Sequence, residues 1–448
     1  MSARRRFLAD AMVGGIWVSA ALAVAMYLAS GASAMSASPS GLVTGLGIVA
    51  GLIGTDLVLV MLVLAARIPL VDRTVGHDRA IALHRTLGKP ALCLLLGHGV
   101  LLLVGYAIGS GVDPVAEAVQ LWSVADMPLA FLGIGLLLIV VVTSLVAVRR
   151  RFSYELWHVI HLLSYAAVLV AVPHQLSVGG VFAANSAERA YWITLYGVAF
   201  GAIGIYRFIE PAVSSLRHSL RVESVDGIAP GVVSIHLHGH DLESLGAAGG
   251  QYFVWRFWTG ATWWHSHPVS LSAAPTAVSA RITVRDLGAG TSRLGTIAAG
   301  TRVSLEGPYG RFTEAARTAP SLAIVVAGIG ITPARALVEQ ARLAPGEATI
   351  VLRGSQATDN YLWEELRVIA EAKGALVYSM VGTRATNGPA WMPQRDADRG
   401  VTLSSIFPRL GESDLYLCGP PAWLDAIEAD ARSTGMPAHR IHTERFDW

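Results

Sequence analysis

Six long runs of apolar residues fill the first half of the chain, at about 12–31, 42–66, 82–108, 127–148, 155–174 and 190–209. Each is close to the roughly 20 residues that a helix needs to cross a hydrocarbon core. The chain leaves the membrane around Pro211, and short runs then alternate apolar and polar positions: VVSIHLHGHD, GQYFVWRFW, SARITVRDLG and TRVSLEGPYG, bounded by glycine and proline. A period of two over short runs predicts a small antiparallel β-barrel. From Ser321 the pattern becomes strand then helix, repeated: SLAIVVAG with ITPARALVEQA, ATIVLRGS with NYLWEELRVIAE, DLYLCG with PPAWLDAIEADA. This predicts a parallel α/β sheet that binds ligands at the carboxyl ends of its strands. The chain is therefore read as three domains: a six-helix membrane bundle at 1–210, an antiparallel barrel at 216–318 and an α/β domain at 319–448.

Composition sharpens the first of these. With 53% hydrophobic and 15% charged residues, the chain is too apolar for an ordinary soluble protein, and the excess lies in the first half. A net charge of +2, with no basic face interleaved by aromatics, excludes nucleic acid as the expected partner. Two cysteines, Cys93 and Cys418, exclude a disulfide framework, a four-cysteine zinc site and an all-cysteine iron–sulfur cluster.

Arg4–Arg6, the group Arg67/Arg73/Arg79/Arg85/Lys89 and Arg149–Arg151 flank alternate ends of the apolar runs. The opposite loops carry Asp113, Glu117, Asp126 and Glu188 but only Arg189 as a base. The positive-inside rule then predicts a multi-pass protein of the cell membrane with both termini cytoplasmic. Arg4-Arg5-Arg6-Phe7-Leu8, the apolar run and Ala32-Ser33-Ala34 resemble a twin-arginine signal with its cleavage site. The run is long for a signal, so a retained first helix is expected.

The apolar runs also carry histidines, which are costly in a bilayer and usually functional. His84 and His98 are 14 residues apart. On a helix that spacing returns to within about 40° of one face, about 21 Å along the axis. Two apolar helices with a histidine near either end could hold two stacked iron porphyrins through axial imidazoles. His161 and His174 are 13 apart, which on an ideal helix is about 140°. Periodicity does not support that pair, although Pro173 could kink the helix end and swing His174 round. His158 does no better, with an offset of about 160° from His174. It is read first as packing in the bundle, with a bond to a haem propionate as the alternative.

Other runs carry weaker signals. His236, His238 and His240 alternate along one run and are read as an exposed strand face rather than a metal site. Gly328-Ile329-Gly330-Ile331-Thr332-Pro333 follows a predicted strand, where its glycines would let a pyrophosphate approach and Pro333 suits a first helical turn.

Taken together, these features resemble a known family. The YE at Tyr154-Glu155, His161, His174 and the His84/His98 pair resemble the ferric reductase and NADPH oxidase transmembrane domain. In that family, paired histidines on the third and fifth helices ligate two b-type haems. The resemblance assigns His84 with His161 to the inner haem and His98 with His174 to the outer, and it is what selects His161 over His158.

HPVSLSAAP at 267–275, GPYG at 307–310, AGIGITP at 327–333, CGPP at 418–421 and an aromatic end occur in that order. This order is similar to the ferredoxin–NADP reductase superfamily in its membrane-fused form. By the resemblance, His267, Pro268, Val269 and Ser270 line an FAD, with Ser270 near the reactive flavin nitrogen. Arg285, Thr291 and Ser292 face the FAD pyrophosphate. Gly328, Gly330, Thr332 and Pro333 receive the pyrophosphate of NADPH or NADH. Cys418, Gly419 and Pro420 face the nicotinamide, and Trp448 covers the flavin. The soluble reductases place an arginine where His267 stands, which weakens a phosphate-clamp role there.

Arg353, Ser355 and Arg384 follow the second and third strands of the α/β sheet and lean toward NADPH; Asp359 nearby leans toward NADH. The implied activity carries electrons from NAD(P)H through FAD and two haems to a small extracytoplasmic acceptor, ferric iron or dioxygen. The alternative is a membrane conduit that hands electrons to a partner redox protein or quinone. A six-helix transporter fused to a nucleotide sensor is the third reading, and it predicts no haem.

Overall fold

The computed structural model describes residues 3–29, 38–74, 76–149, 151–152, 154–178, 186–260 and 262–445. The chain forms two compact units, Met1–Ile209 and Glu210–Trp448.

The first unit holds six helices long and apolar enough to cross a membrane. They are α1 (Ala3–Ala29), α2 (Pro39–Ala65), α3 (His77–Ser110), α4 (Met127–Ser144), α5 (Tyr154–Ser177) and α6 (Ser186–Ile203). Ala32-Ser33-Ala34, read as a cleavage site, lies outside the described residues. Local chemistry sets the helix ends. Ser38 caps α2 by accepting the Gly41 amide at 3.1 Å, with Pro39 in the first turn, where it sacrifices no hydrogen bond. Gly111, at φ +70°, closes α3 in the left-handed conformation that glycine adopts without strain.

Helix α2 packs along α3, and α4 along α5; α1 and α6 lie on α2. The α2–α3 approach depends on small residues. A Cβ at Gly47, Gly51 or Gly54 would fall 3.1, 2.4 or 2.9 Å from side-chain atoms of Leu101 and Leu102, His98 and Leu95 respectively. Without hydrocarbon-versus-water driving force inside a bilayer, such close backbone approach is what holds helices together. After α6 the chain makes a π-helical turn, Gly204–Ile209, and continues as a helix over Glu210–His218. Pro211 sits in the first turn of that helix, where proline is tolerated.

In the second unit, β1 (Arg221–Ala229), β2 (Val232–His238) and β5 (Ser279–Arg285) form one antiparallel sheet; β3 (Tyr252–Phe257), β4 (His267–Ser270) and β6 (Val303–Tyr309) form another. The expected barrel is seen as these two sheets, with single bridges at Arg221–Arg302 and Leu271–Ile282 rather than a continuous ladder. Alternation fills the space between them: Ile235, Leu237, Phe253, Trp255, Phe257 and Ile282 are buried in one core.

The rest is a five-stranded parallel sheet in the order β11-β10-β7-β8-β9, from β7 (Ser321–Ala327), β8 (Ala348–Gly354), β9 (Leu376–Val381), β10 (Ser413–Gly419) and β11 (Ile441–Arg445). Strands β7 and β10 are buried throughout, as apolar runs in a sheet covered on both faces must be. Helices α7 (Ile331–Gln340) and α8 (Trp363–Ala372) cover one face, and α9 (Pro421–Ser433) packs on the other. Strand order reverses between β7 and β10, and sheets of this kind commonly bind ligands at the carboxyl ends beside such a switch point.

Candidate functional site

Two groups of residues stand out, one in each unit. In the membrane unit, His84 of α3 and His161 of α5 meet with ring centroids 6.1 Å apart and planes 60° apart. Their helices pack on α2 and α4 rather than closely on each other, so the two side chains reach across a gap. The outward nitrogens are engaged: His84 Nδ1 is 3.1 Å from the Met61 carbonyl and His161 Nδ1 is 3.3 Å from Ser144 Oγ. That leaves Nε2 of each ring as the nitrogen available to a metal, the arrangement in which a second partner orients a ligating histidine. Two metal–nitrogen bonds of about 2 Å, plus the ring radii, need a centroid separation of about 6 Å. The observed pair fits iron held between two imidazoles.

His98 repeats the pattern, with Nδ1 2.9 Å from the Gly47 carbonyl and its ring against Gly51. His98 and His174 are close enough to interact electrostatically, and His174 Nδ1 is buried without a hydrogen bond. Pro173 lies inside α5, which runs through to Ser177. His158 also lies close to His161, but it is the His161 ring that meets His84.

Sequence reading passed over the support of His161. Trp157 stacks on it at 5.0 Å, and the Trp157 indole N–H donates to Ser144 Oγ at 3.2 Å. The Arg149 guanidinium lies 4.7 Å over the same indole. The four-residue spacing of Trp157 and His161 was the available signal. Among the described residues no group of three or more His, Cys, Asp or Glu is placed to bind a metal. His236 pairs with Asp226 at 3.3 Å, and His238 and His240 are exposed.

In the second unit the predicted residues gather along two strand ends. On β4, His267 and Ser270 are buried, and Nε2 of His267 and Oγ of Ser270 lack hydrogen bonds. Burial, with His265 beside it, pushes His267 down to about 4, so the ring is neutral at ordinary pH. A neutral ring does not clamp a phosphate by charge. Pro268 and Val269 stand partly open between them. Arg285, at the end of β5, is exposed and close to Tyr361; Thr291 and Ser292 lie in the following turn, where Thr291 Oγ1 accepts the Leu287 amide at 2.8 Å.

At the switch point, Gly328 has φ +55°, and a Cβ on Gly330 would sit 2.3 Å from the Cys418 carbonyl oxygen. Glycine at these two positions lets the loop turn and lie against β10. Thr332 Oγ1 donates to the Ile329 carbonyl at 3.0 Å, and Pro333 is buried in the first turn of α7. Cys418 is fully buried, and burial with Glu444 nearby raises its thiol, which stays protonated. Gly419 packs against Trp423.

A contiguous wall links the two strand ends. Ser270 pairs with Tyr252, whose ring is 5.6 Å from Tyr309; Gly310 adjoins Tyr252 and Glu444, and Glu444 pairs with Cys418. Tyr252 and Glu444 lie far apart in sequence and only folding joins them. Charge ties the same halves together: Arg281 on β5 bonds Glu365 on α8 at 2.8 Å, and Arg335 on α7 bonds Glu365 at 3.0 Å.

The two arginines offered for nucleotide specificity part company. Arg353 is buried, and its guanidinium donates to the carbonyls of Gly354, Gly382 and Trp391. Arg384 is exposed, held by the Ala390 carbonyl at 2.6 Å and the Ala422 carbonyl at 3.2 Å. Asp359 accepts the amides of Ser355 and Gln356, so its carboxylate caps the turn after β8. Trp448 lies outside the described residues.

Fold and site together match the pattern of a membrane-spanning histidine bundle followed by a two-sheet and α/β unit. Residues 50–172 match the family described as ferric reductase like transmembrane component. A ferredoxin–NADP reductase B from Sorangium cellulosum is 27% identical over 36% of this chain and 68% of its own length. The reductase component of an alkene monooxygenase system from Xanthobacter autotrophicus is 31% identical over 36% of this chain and 49% of its own length. A flavohemoprotein of Xylella fastidiosa is 25% identical over 44% of the chain and 50% of its own length. Several of these curated relatives are thus matched over about half their length. Among solved structures, the cytochrome b5 reductase domain of Ulva prolifera nitrate reductase aligns with 50% of this chain and 96% of its own, at 15% identity and TM-score 0.42. The first half of the chain thus resembles a ferric reductase-like transmembrane component, the second half resembles ferredoxin reductase-type proteins, and six helices are long and apolar enough to cross a membrane.

Proposed function

We propose that this protein moves electrons from cytosolic NAD(P)H across the cell membrane, through FAD and two b-type haems, to a small extracytoplasmic acceptor, ferric iron or dioxygen. The observation that carries this reading is the His84–His161 pair, 6.1 Å apart and oriented through Nδ1 on both sides. When bound, FAD supplies the exchange between two-electron and one-electron chemistry, and haem with both axial positions filled supplies electron transfer without an open site for oxygenation.

In this reading both termini are cytoplasmic, His84 and His161 hold the inner haem, and His98 and His174 hold the outer. Residues 216–318 bind FAD and 319–448 bind the nucleotide. His267, Pro268, Val269 and Ser270 line the flavin, with Trp448 over it. Arg285, Thr291 and Ser292 serve the FAD pyrophosphate. Gly328 and Gly330 clear space for the nucleotide pyrophosphate at the start of α7, where the helix dipole favours an anion; Thr332 and Pro333 hold that turn. Cys418, Gly419 and Pro420 wall the nicotinamide. Arg384 reaches the nucleotide's ribose phosphate, while Arg353 supports the loop that carries Arg384.

The test is an anaerobic optical titration of detergent-purified, haem-replete protein with NADPH, then NADH. Narrow reduced-haem bands following flavin bleaching are expected. Bleached flavin with no haem response would overturn the relay, and turnover on ferric iron or dioxygen by the purified protein separates an enzyme from a conduit.

A further inference from the structure

Asp56 lies within the apolar span of α2 and is 1% exposed. Carboxyl groups in such positions are expensive and mark proton or ion paths. Its surroundings come from two other helices. Ser19 on α1 donates Oγ–H to Asp56 Oδ1 at 2.6 Å. Tyr191 on α6 lies 3.0 Å from that hydroxyl and donates to the Ser19 carbonyl at 3.0 Å. Asp56 Oδ2 is buried and has no hydrogen bond. From α1 the facing polar group is Ser19, and from α6 the titratable group is Tyr191; among the described residues no cation pairs with Asp56.

The height of Asp56 on α2 is as informative as its partners. It is five residues from Gly51, which packs on the His98 ring, and five from Met61, whose carbonyl faces His84. That is about 7.5 Å of helix rise in each direction. Asp56 is thus midway in height between the two histidine levels. It is turned about 140° from each, toward α1 and α6.

We propose that Asp56, with Ser19 and Tyr191, is a proton-binding site whose occupancy follows the charge on the two histidine pairs. This rests on the electron relay proposed above. Ferric iron in a porphyrin with two neutral imidazoles has a net positive charge, and one electron cancels it. In a low-dielectric interior that charge acts on a buried carboxylate. Lacking a cation of the protein's own, the Asp56 carboxylate depends on it as countercharge. When an electron arrives, the carboxylate takes up one proton, which comes from water along the Tyr191 and Ser19 hydroxyls. Ser19 gives its Oγ proton to Asp56 and regains one from Tyr191, which regains one from a hydronium ion of the solvent. The net change is one O–H bond lost by hydronium and one gained by the carboxylate, and no electron passes to or from Asp56. Departure of the electron reverses the step. The site keeps the membrane interior near charge balance as electrons cross.

The experiment is redox-difference infrared spectroscopy on the haem-replete full chain, in H2O and D2O. Reduction is expected to produce a carboxylic-acid carbonyl band that shifts in D2O, disappears in Asp56→Asn and moves in Asp56→Glu. Haem content and melting temperature check that Asp56→Asn is folded, and if it is not, the band position in Asp56→Glu decides. The wild-type midpoint potential should fall as pH rises, and that slope should flatten in Asp56→Asn. A reduction-induced band unchanged in both variants, or no such band, overturns the site while leaving the relay standing. A signal that tracks sodium rather than pH overturns it in favour of a cation site. Protein without haem overturns the relay and this site together.

Discussion

The imidazole of His84 faces that of His161 at 6.1 Å, and each is steered by a bond on its far side, to the Met61 carbonyl and to Ser144 Oγ. Because the pair acts as a unit, replacing either histidine by alanine is expected to lower haem content by about half. The double variant should lose no more than either single one, which a haem assay on purified protein checks. Loss of all haem from one substitution would mean that the two pairs are not independent.

Gly51 gives a sharper test of the other pair. A Cβ there would lie 2.4 Å from His98 Nδ1, so Gly51→Leu is expected to displace the ring and empty the outer site alone. Gly99→Ala, at an exposed position of α3 with open space around it, is the matched control. A redox titration resolving the two haems distinguishes selective loss from general unfolding.

Arg353 and Arg384 should fail differently. Arg384→Ala is expected to raise KM for NADPH about tenfold, a loss of about 1.4 kcal/mol, with little change for NADH. Arg353→Ala should lower the melting temperature instead, since its guanidinium serves buried carbonyls. Equal loss with both nucleotides in Arg384→Ala would remove it from phosphate recognition.

Asp414 links the reductase fold to pH. Burial by itself would raise its carboxyl, but the His442 ring at 2.8 Å and the amides of Thr318 and Ala319 outweigh burial and hold it below the usual range. A depressed carboxylate stabilises the fold above the unfolded value of about 4, and that stability is lost as pH falls through the folded value. Acid unfolding, followed by flavin release, should show this loss below about pH 4 in wild type. Asp414→Asn should be destabilised at neutral pH by roughly 1–3 kcal/mol and show a weaker acid dependence. An unchanged acid profile would count against it.

Periodicity and composition were enough to determine the six spans, the switch to alternating strands near residue 221 and the strand–helix repeats after Ser321. These are local properties: hydropathy over a helix length and the period of a strand are written in consecutive residues. The motif order also brought Ser270, Gly328 and Cys418 forward as candidates, because glycine and strand ends mark where a backbone can approach a ligand.

Other relationships depended on tertiary structure. The 13-residue spacing of His161 and His174 gave no face in common, and only packing showed that the His161 ring meets His84. Arg353 and Arg384 look alike as residues following strands, yet one is spent on carbonyls and the other stays exposed, since side-chain direction follows from the loop at 382–391. Asp56, Ser19 and Tyr191 come from three helices, and nothing in consecutive residues marks them as partners. The sequence by itself determined which segments form; three-dimensional packing decided which distant side chains come together, because hydrogen bonds and ring contacts depend on separations in space that no local pattern encodes.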